Sequence, residues 1–127
     1  MTLGRFVNIL YGDKGSDGIE EARLSGIIDR YESKHTEIRL LRKDAARILH
    51  LYMQKVLDVR DEENITNASV LKDLYDCRVC ANHIAQVYLR GIMKEHEYSN
   101  GLILFDSDSE ISDKEGKEAI NKIHGMK

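Results

Sequence analysis

Two cysteines and a histidine lie close together in the second half of the chain. Cys77, Cys80 and His83 form the pattern C-x-x-C-x-x-H. On a continuous helix, steps of three residues place these side chains on one flank, where they could bind zinc. A structural zinc site needs a fourth ligand, and a thioredoxin-like redox role would need a βαβ setting, which is missing. We therefore interpret the cysteines as small buried thiols beside a half-buried histidine, with zinc binding and redox chemistry as alternatives.

Basic residues gather at the start of the longest predicted helix. They are Arg39, Arg42, Lys43 and Arg47. Residues 23–60 carry nine Lys or Arg against five Asp or Glu, a net charge of +4 in a chain whose net charge is −3. A guanidinium at this place could bind the carboxylate of an anionic ligand in a bidentate manner. The same cations could instead pair with Glu37 or Asp44 on a solvated helix face.

Catalytic and cofactor motifs are missing from the sequence. The glycine-rich turns GDKGSDG and SNG lack the strand-to-helix setting of a phosphate-binding loop, and no nucleophile–base arrangement has a supporting context. The mild negative charge argues against nonspecific binding to nucleic acid. No apolar run approaches the roughly 18 residues that span a bilayer. We expect neither enzymatic activity, nor a cofactor, nor nucleic-acid binding, nor membrane insertion.

The elements that position these residues are predicted to be helices. Length and hydrophobic content predict one domain over residues 1–127. Helices are predicted over 2–11 with Thr2 as N-cap, 19–26, 40–59, part of 70–89, and 113–124. Segment 101–105 is the only one that could form a short strand, and it has no evident partner. The fold class is therefore all-α, with five or six helices.

Apolar side chains in the two central helices recur with helical spacing. In the first helix they are Leu41, Ala45, Ile48, Leu49, Tyr52 and Val56. In the second, the stripe runs through Val79, His83, Ile84, Val87, Tyr88 and Gly91. Each set is predicted to lie on one side of its helix.

Two ten-residue stretches match each other without a gap. Residues 19–28 and 84–93 both have Ile first, Leu sixth, Gly eighth and Ile ninth. Gly26 and Gly91 are each predicted to end a short helix in the left-handed conformation. This match indicates an internal repeat, with a partial unit at about 1–12 and fuller units at about 13–60 and 61–127.

The motifs of these units resemble those of S-layer homology (SLH) domains. Leu74-Tyr75-Asp76 resembles the start of a family unit, Leu89-Arg90-Gly91-Ile92-Met93 the end of its first helix, Phe105-Asp106 the following turn, and Ile111-Ser112 the entrance to its second helix. In LLRKDAARIL, Arg42 and Asp44 match the arginine and the acidic residue of the entrance motif. The resemblance implies a pseudo-threefold helical fold that binds secondary cell-wall polysaccharide, often pyruvylated, with the motif arginine as its cationic contact.

The chain departs from the family pattern at several positions. Leu3 and Asp113 occupy the arginine position in the other two units, the turn proline is missing, and Val79 lies about where the family has tryptophan. Retaining Arg42 alone would support at most one ligand cleft of the family type.

The function expected from this resemblance is non-catalytic binding. The predicted ligand contacts are Arg39, Arg42, Lys43 and Asp44, and the partner is anionic cell-wall polysaccharide or another protein. The alternative is an intracellular protein-interaction factor, either an adaptor or a small inhibitor, that reuses the fold. The lack of a signal pattern and the two cysteines favour the cytoplasm if the chain is complete, whereas a fragment of a longer secreted protein would lie at the cell surface.

Overall fold

The amphipathic segments of the sequence fold as α-helices. The computed structural model describes residues 1–126. Its helices are α1 (Leu3–Leu10), α2 (Ser16–Leu24), α3 (Arg30–Lys34), α4 (Arg42–Lys55), α5 (Arg78–Leu89) and α6 (Asp113–His124), with a 3-10 helix at Thr66–Val70. The strands β1 (His96–Glu97) and β2 (Ile103–Leu104) have two residues each. With 52% of the chain helical, the predicted all-α fold of five or six helices is confirmed.

Three helix starts meet in a ring of backbone hydrogen bonds. The Leu40 amide donates to the Met1 carbonyl (3.0 Å), and the Ile111 amide donates to the Leu40 carbonyl (2.9 Å). The terminal amine of Met1 donates to the Ile111 carbonyl at 3.3 Å and closes the ring. All three residues are buried, and each lies two positions before the first residue of α1, α4 or α6. The ring therefore fixes where these three helices begin relative to one another.

Gly26 and Gly91 end α2 and α5 with the same local geometry. Their φ angles are +75° and +70°. The amide of the residue after each glycine donates to a carbonyl five residues earlier in the chain. Ile27 donates to Ala22, and Ile92 donates to Val87, both at 2.9 Å. These are the hydrogen bonds of a Schellman motif. The predicted left-handed conformation of both glycines is confirmed.

Helix α4 packs against both α5 and α6, while α1 packs against α2 and α6. The apolar faces of these helices form one hydrophobic core. In α4 the inward positions are Ala45, Ile48, Leu49 and Tyr52, as its sequence period predicts.

Helix α4 is shorter than its apolar pattern suggests, and the buried stripe of α5 begins later in the helix than predicted. Val56 is the C-cap of α4 and is exposed, and Asp58 takes a left-handed φ of +54°, so the predicted extension to residue 59 is wrong. Val79 lies in the first turn of α5 and is 85% exposed, so its place in the buried stripe is also wrong. A residue at a helix end can share the period of a core face without reaching the core.

A two-stranded sheet and the short helix α3 lie between the longer helices along the chain. Strand β2 lies within the predicted segment 101–105, and its antiparallel partner is β1, with His96 opposite Leu104. Helix α3 begins with a capping box, in which Asp29 and Glu32 bond each other's backbone amides. None of the helices over residues 1–126 combines the length and the apolar character needed to cross a membrane.

Candidate functional site

Arg42, the principal predicted ligand contact, lies inside the protein with 1% of its surface exposed. Its Nε donates to the Phe105 carbonyl (2.7 Å) and its Nη2 to the Lys94 carbonyl (2.6 Å). Nη1 forms an ion pair with the carboxylate of Glu115. The guanidinium carbon also lies 4.7 Å from the centroid of the Phe105 ring, in a cation–π contact. The guanidinium therefore joins α4 to two loops and α6, rather than facing a ligand.

The loop at 105–109 covers Arg42 because it is tied to the start of α4. The Arg42 and Lys43 amides, which have no partner within the helix, donate to the carbonyls of Ser109 (2.8 Å) and Ser107 (3.0 Å). The carboxylate of Asp73 holds the other side of this loop and accepts hydrogen bonds from the Phe105, Asp106 and Ser107 amides.

Carboxylates and an imidazole extend the polar network outward from Arg42. His96 lies between two acidic groups, with Nε2 3.0 Å from Glu115 Oε2 and Nδ1 2.6 Å from Asp106 Oδ2. Burial raises the pKa of Glu115, but the hydrogen bond from His96 and the charge of Arg42 outweigh it, so this pKa lies below its usual value. The pKa of Asp106 is lowered in the same way, against the effect of burial, by hydrogen bonds from Tyr98 and His96. The network therefore favours ionised carboxylates around the buried guanidinium.

The other predicted ligand contacts do not converge with Arg42. Arg39 is exposed ahead of α4. Lys43 donates to Asp108 Oδ1 at 2.7 Å, and Asp44 lies 3.9 Å from Arg47 on the next turn of the helix. The four residues that the sequence groups into one site therefore face different neighbours.

The cysteines are joined in a disulfide between Cys77 and Cys80. The interpretation of two reduced, buried thiols is therefore wrong, since both residues are half-buried and oxidised. A sulfur in a disulfide is not a thiolate, and zinc binds thiolates. No cluster of three or more His, Cys, Asp or Glu side chains suited to a metal occurs within residues 1–126.

His83 pairs with a second histidine instead. Its Nδ1 lies 2.8 Å from Nδ1 of His50, and His50 Nε2 lies 2.6 Å from Asp61 Oδ1. Burial, followed by the charges of His50 and Arg47, lowers the pKa of His83 to about 4. This chain of hydrogen bonds joins α5 to α4, and α4 to the segment that follows it. Its role is therefore structural.

A basic groove lies between α2 and α3. Its cavity of about 380 Å³ is lined by Arg23, Arg30 and Lys34, together with Ser16, Ser33, Ile19 and Glu20. Arg23 is paired with Glu20. Arg30 and Lys34 are exposed and form no ion pair with any other residue in 1–126. This groove therefore offers unpaired cations to an anionic ligand.

Sequence signals for this groove exist but are weak. Asp29 and Glu32 have the three-residue spacing of a capping box, which marks the start of a helix. Once that helix is placed, Arg30 and Lys34 fall four residues apart on one face. Residues 29–39 lie outside the helices predicted from the sequence, so neither α3 nor its basic face was predicted.

The comparisons with known proteins concern the fold. No protein-family model and no curated protein matches the chain. Among solved structures, it is similar to the undecaheme cytochrome from the S-layer of Carboxydothermus ferrireducens, with a TM-score of 0.58 and 14% identity. The match covers 98% of this chain but 20% of the cytochrome chain. At this identity the likeness shows a shared fold and no shared activity.

We predict that Arg42→Met lowers the free energy of unfolding by about 3 kcal/mol, because it leaves the Phe105 and Lys94 carbonyls and the Glu115 carboxylate without this buried partner. Urea denaturation followed by circular dichroism measures this change. The control is Arg39→Met at an exposed position, which should change stability by less than about 0.5 kcal/mol. Equal stability of the two variants would contradict a structural role for Arg42.

From the low pKa of His83 we predict that the free energy of unfolding falls in mild acid. His83 has a folded pKa of about 4 and an unfolded value of 6.5. The unfolded chain therefore takes up this proton first, and stability falls as the pH drops from about 6.5 towards 4. In His83→Gln, the difference in unfolding free energy between about pH 7 and pH 5 should shrink by about 1 kcal/mol, allowing for the partial exposure of the ring. In a His35→Gln control that difference should persist, and an unchanged difference in His83→Gln would disprove the assignment.

Proposed function

We propose that this chain is a non-catalytic binding module for an anionic carbohydrate polymer of the cell-wall polysaccharide class. The observation that carries the proposal is the convergence of Arg23, Arg30 and Lys34 on the groove between α2 and α3. Three cations and the single carboxylate of Glu20 give the groove a net charge of +2 in a chain whose net charge is −3. A polymer that repeats carboxylate or ketal groups along its length would meet several cations at once.

An aromatic side chain lies next to the cations on α3. Tyr31 is 62% exposed, and His35 stacks on one side of its ring with centroids 4.0 Å apart. Because Tyr31 directly follows Arg30 and precedes Lys34 by three residues, its ring stands on the adjoining helix face. A tyrosine ring has an apolar surface and a polar hydroxyl, and both suit contact with a sugar. Helix α3 thus presents an exposed aromatic ring beside the cations that line the groove.

The shared fold and the sequence resemblance support the same class of function. The structural neighbour is a cytochrome from an S-layer, and the motif around Arg42 resembles that of SLH domains, which bind wall polysaccharide. The contact residues proposed for this chain differ from the motif arginine, because the donors of Arg42 are directed to groups of the protein itself. We therefore propose the ligand class of SLH domains, wall polysaccharide, with the contact at α2 and α3.

A protein-interaction role is the second candidate. Tyr75 and Val79 are 61% and 85% exposed at the start of α5, and large side chains of this kind are typical of protein contacts. This surface and the basic groove use different residues, so mutation can separate the two functions.

The test is cosedimentation with purified Gram-positive cell walls. We predict that the double variant Arg30→Gln, Lys34→Gln binds at least about tenfold more weakly, equivalent to about 1.4 kcal/mol, because it removes both unpaired cations. The matched control is Lys114→Gln, Lys117→Gln, which removes the same charge from the exposed face of α6 and should bind like the wild type. Higher salt should weaken wild-type binding.

Two results would overturn the proposal. Wild-type protein that remains in the supernatant would exclude the wall polymer as ligand. Equal binding by the groove variant and the α6 variant would show that a different surface makes the contact.

A further inference from the structure

The start of α5 differs from the starts of α3 and α6, which both have a capping box. In α3 and α6, a capping box joins the N-cap residue to a glutamate three residues later. In α5 the same two positions are Cys77 and Cys80, and they are joined by the disulfide. Residues 1–126 supply α5 with neither a side-chain cap nor an acidic residue in its first turn. The disulfide therefore lies where α3 and α6 each have a capping-box glutamate.

This position favours the reduced form of the pair. A helix N-terminus stabilises negative charge through its free amides and its dipole. Thiolates of Cys77 and Cys80 would occupy the N-cap and third positions, and thiols at helix N-termini ionise more readily than free cysteine. A disulfide whose reduced form is stabilised is readily reduced by other thiols.

A cavity gives access to one of the two sulfur-bearing residues. Its volume is about 320 Å³, and it is bordered by Cys77, Lys43, Ser107 and Asp76. Ser107 is 7% exposed, and its Oγ has no hydrogen-bond partner among residues 1–126. A buried hydroxyl without a partner costs free energy, so a group that enters this cavity and bonds to it is favoured.

The surface around the disulfide suits a polypeptide partner. Val79 lies between the two cysteines and is 85% exposed, and Tyr75 is 61% exposed just before them. Burial of these side chains would contribute to binding of a peptide with apolar residues next to its cysteines.

We propose that the Cys77–Cys80 disulfide undergoes thiol–disulfide exchange with a polypeptide that carries two cysteines. A thiolate of the partner attacks Cys77 Sγ, the bond between Cys77 and Cys80 breaks, and Cys80 leaves as a thiolate at the start of α5. The partner's second cysteine, as a thiolate, then attacks the partner's first sulfur in the mixed disulfide. This forms the partner's disulfide and releases Cys77 as a thiolate. Two electrons pass to this chain, the partner gains a disulfide, and the protons lost by the partner's thiols return to the two cysteines.

The exchange is tested in the reverse direction with a trapping variant. In Cys80→Ser, Cys77 attacks the disulfide of an oxidised peptide probe, Cys-Leu-Gly-Leu-Cys, and no second cysteine of this chain can release the peptide. Quenching with acid then preserves the mixed disulfide, because it protonates the free peptide thiol that would otherwise reverse the reaction. We expect a one-to-one adduct by mass spectrometry, forming at least about tenfold faster than in Cys77→Ser. Equal rates in the two variants, or a rate no higher than that of free cysteine, would overturn the proposal. Faster reaction with oxidised glutathione than with the peptide would show that the exchange partner is not a polypeptide.

Two further measurements keep the test independent of folding. Oxidised wild-type protein should be reduced at Cys77–Cys80 by the dithiol form of the same peptide, which gains its disulfide, and absence of this reaction would overturn the proposal. Ser107→Ala should slow the exchange about threefold or more through loss of the cavity hydroxyl, whereas Ser99→Ala, on an exposed turn, should not. Equal exchange rates in these two variants would show that the cavity takes no part in the exchange.

Discussion

The buried guanidinium of Arg42 constrains the arrangement of every element around it. A charge taken out of water is tolerated only when its donors meet acceptors of good geometry. Here the acceptors come from the loop after α5, from the end of β2 and from α6, which must therefore assemble around α4 together. One turn further along the helix, Arg47 repeats the arrangement on a smaller scale, with hydrogen bonds to the Ile27 carbonyl (3.0 Å) and to Glu32 (2.5 Å). Both arginines hold chain segments that follow a glycine-ended helix.

Because the arginines of α4 bond to groups of the protein itself, the cations that remain available at the surface lie elsewhere. Arg42 and Arg47 bond to groups of the protein itself, and Lys43 is paired with Asp108. The unpaired cations at a concave surface belong instead to α3, a helix whose own apolar contribution to the core is small. The fold thus separates its structural cations on α4 from those available to a ligand. The disulfide lies apart from both, at the start of α5, so binding and thiol exchange would use different surfaces.

The features that could be predicted from sequence are those with a local physical cause. Gly26 and Gly91 were recognisable because a left-handed residue at a helix end favours glycine, and α6 because Ser112 caps it and its apolar residues keep the helical period. The direction in which Arg42 points was not predictable from its own segment. It depends on acceptors 52 to 73 residues away in sequence, and an exposed cation and a buried one look alike in a sequence. The groove was missed for a related reason, since a helix of five residues leaves too short a pattern to detect.

We propose that an anionic wall polymer contacts α2 and α3, while Arg42 has a structural role. An amide NMR titration of the folded chain with a purified, pyruvylated wall oligosaccharide distinguishes the two surfaces, because each backbone amide reports its own surroundings. We expect the largest chemical-shift changes within Ser16–Leu24 and Arg30–Lys34, and no change at the amides around Arg42 and Phe105. Changes centred on Arg42, Lys43 and the loop at 105–109, with α2 and α3 unaffected, would contradict it.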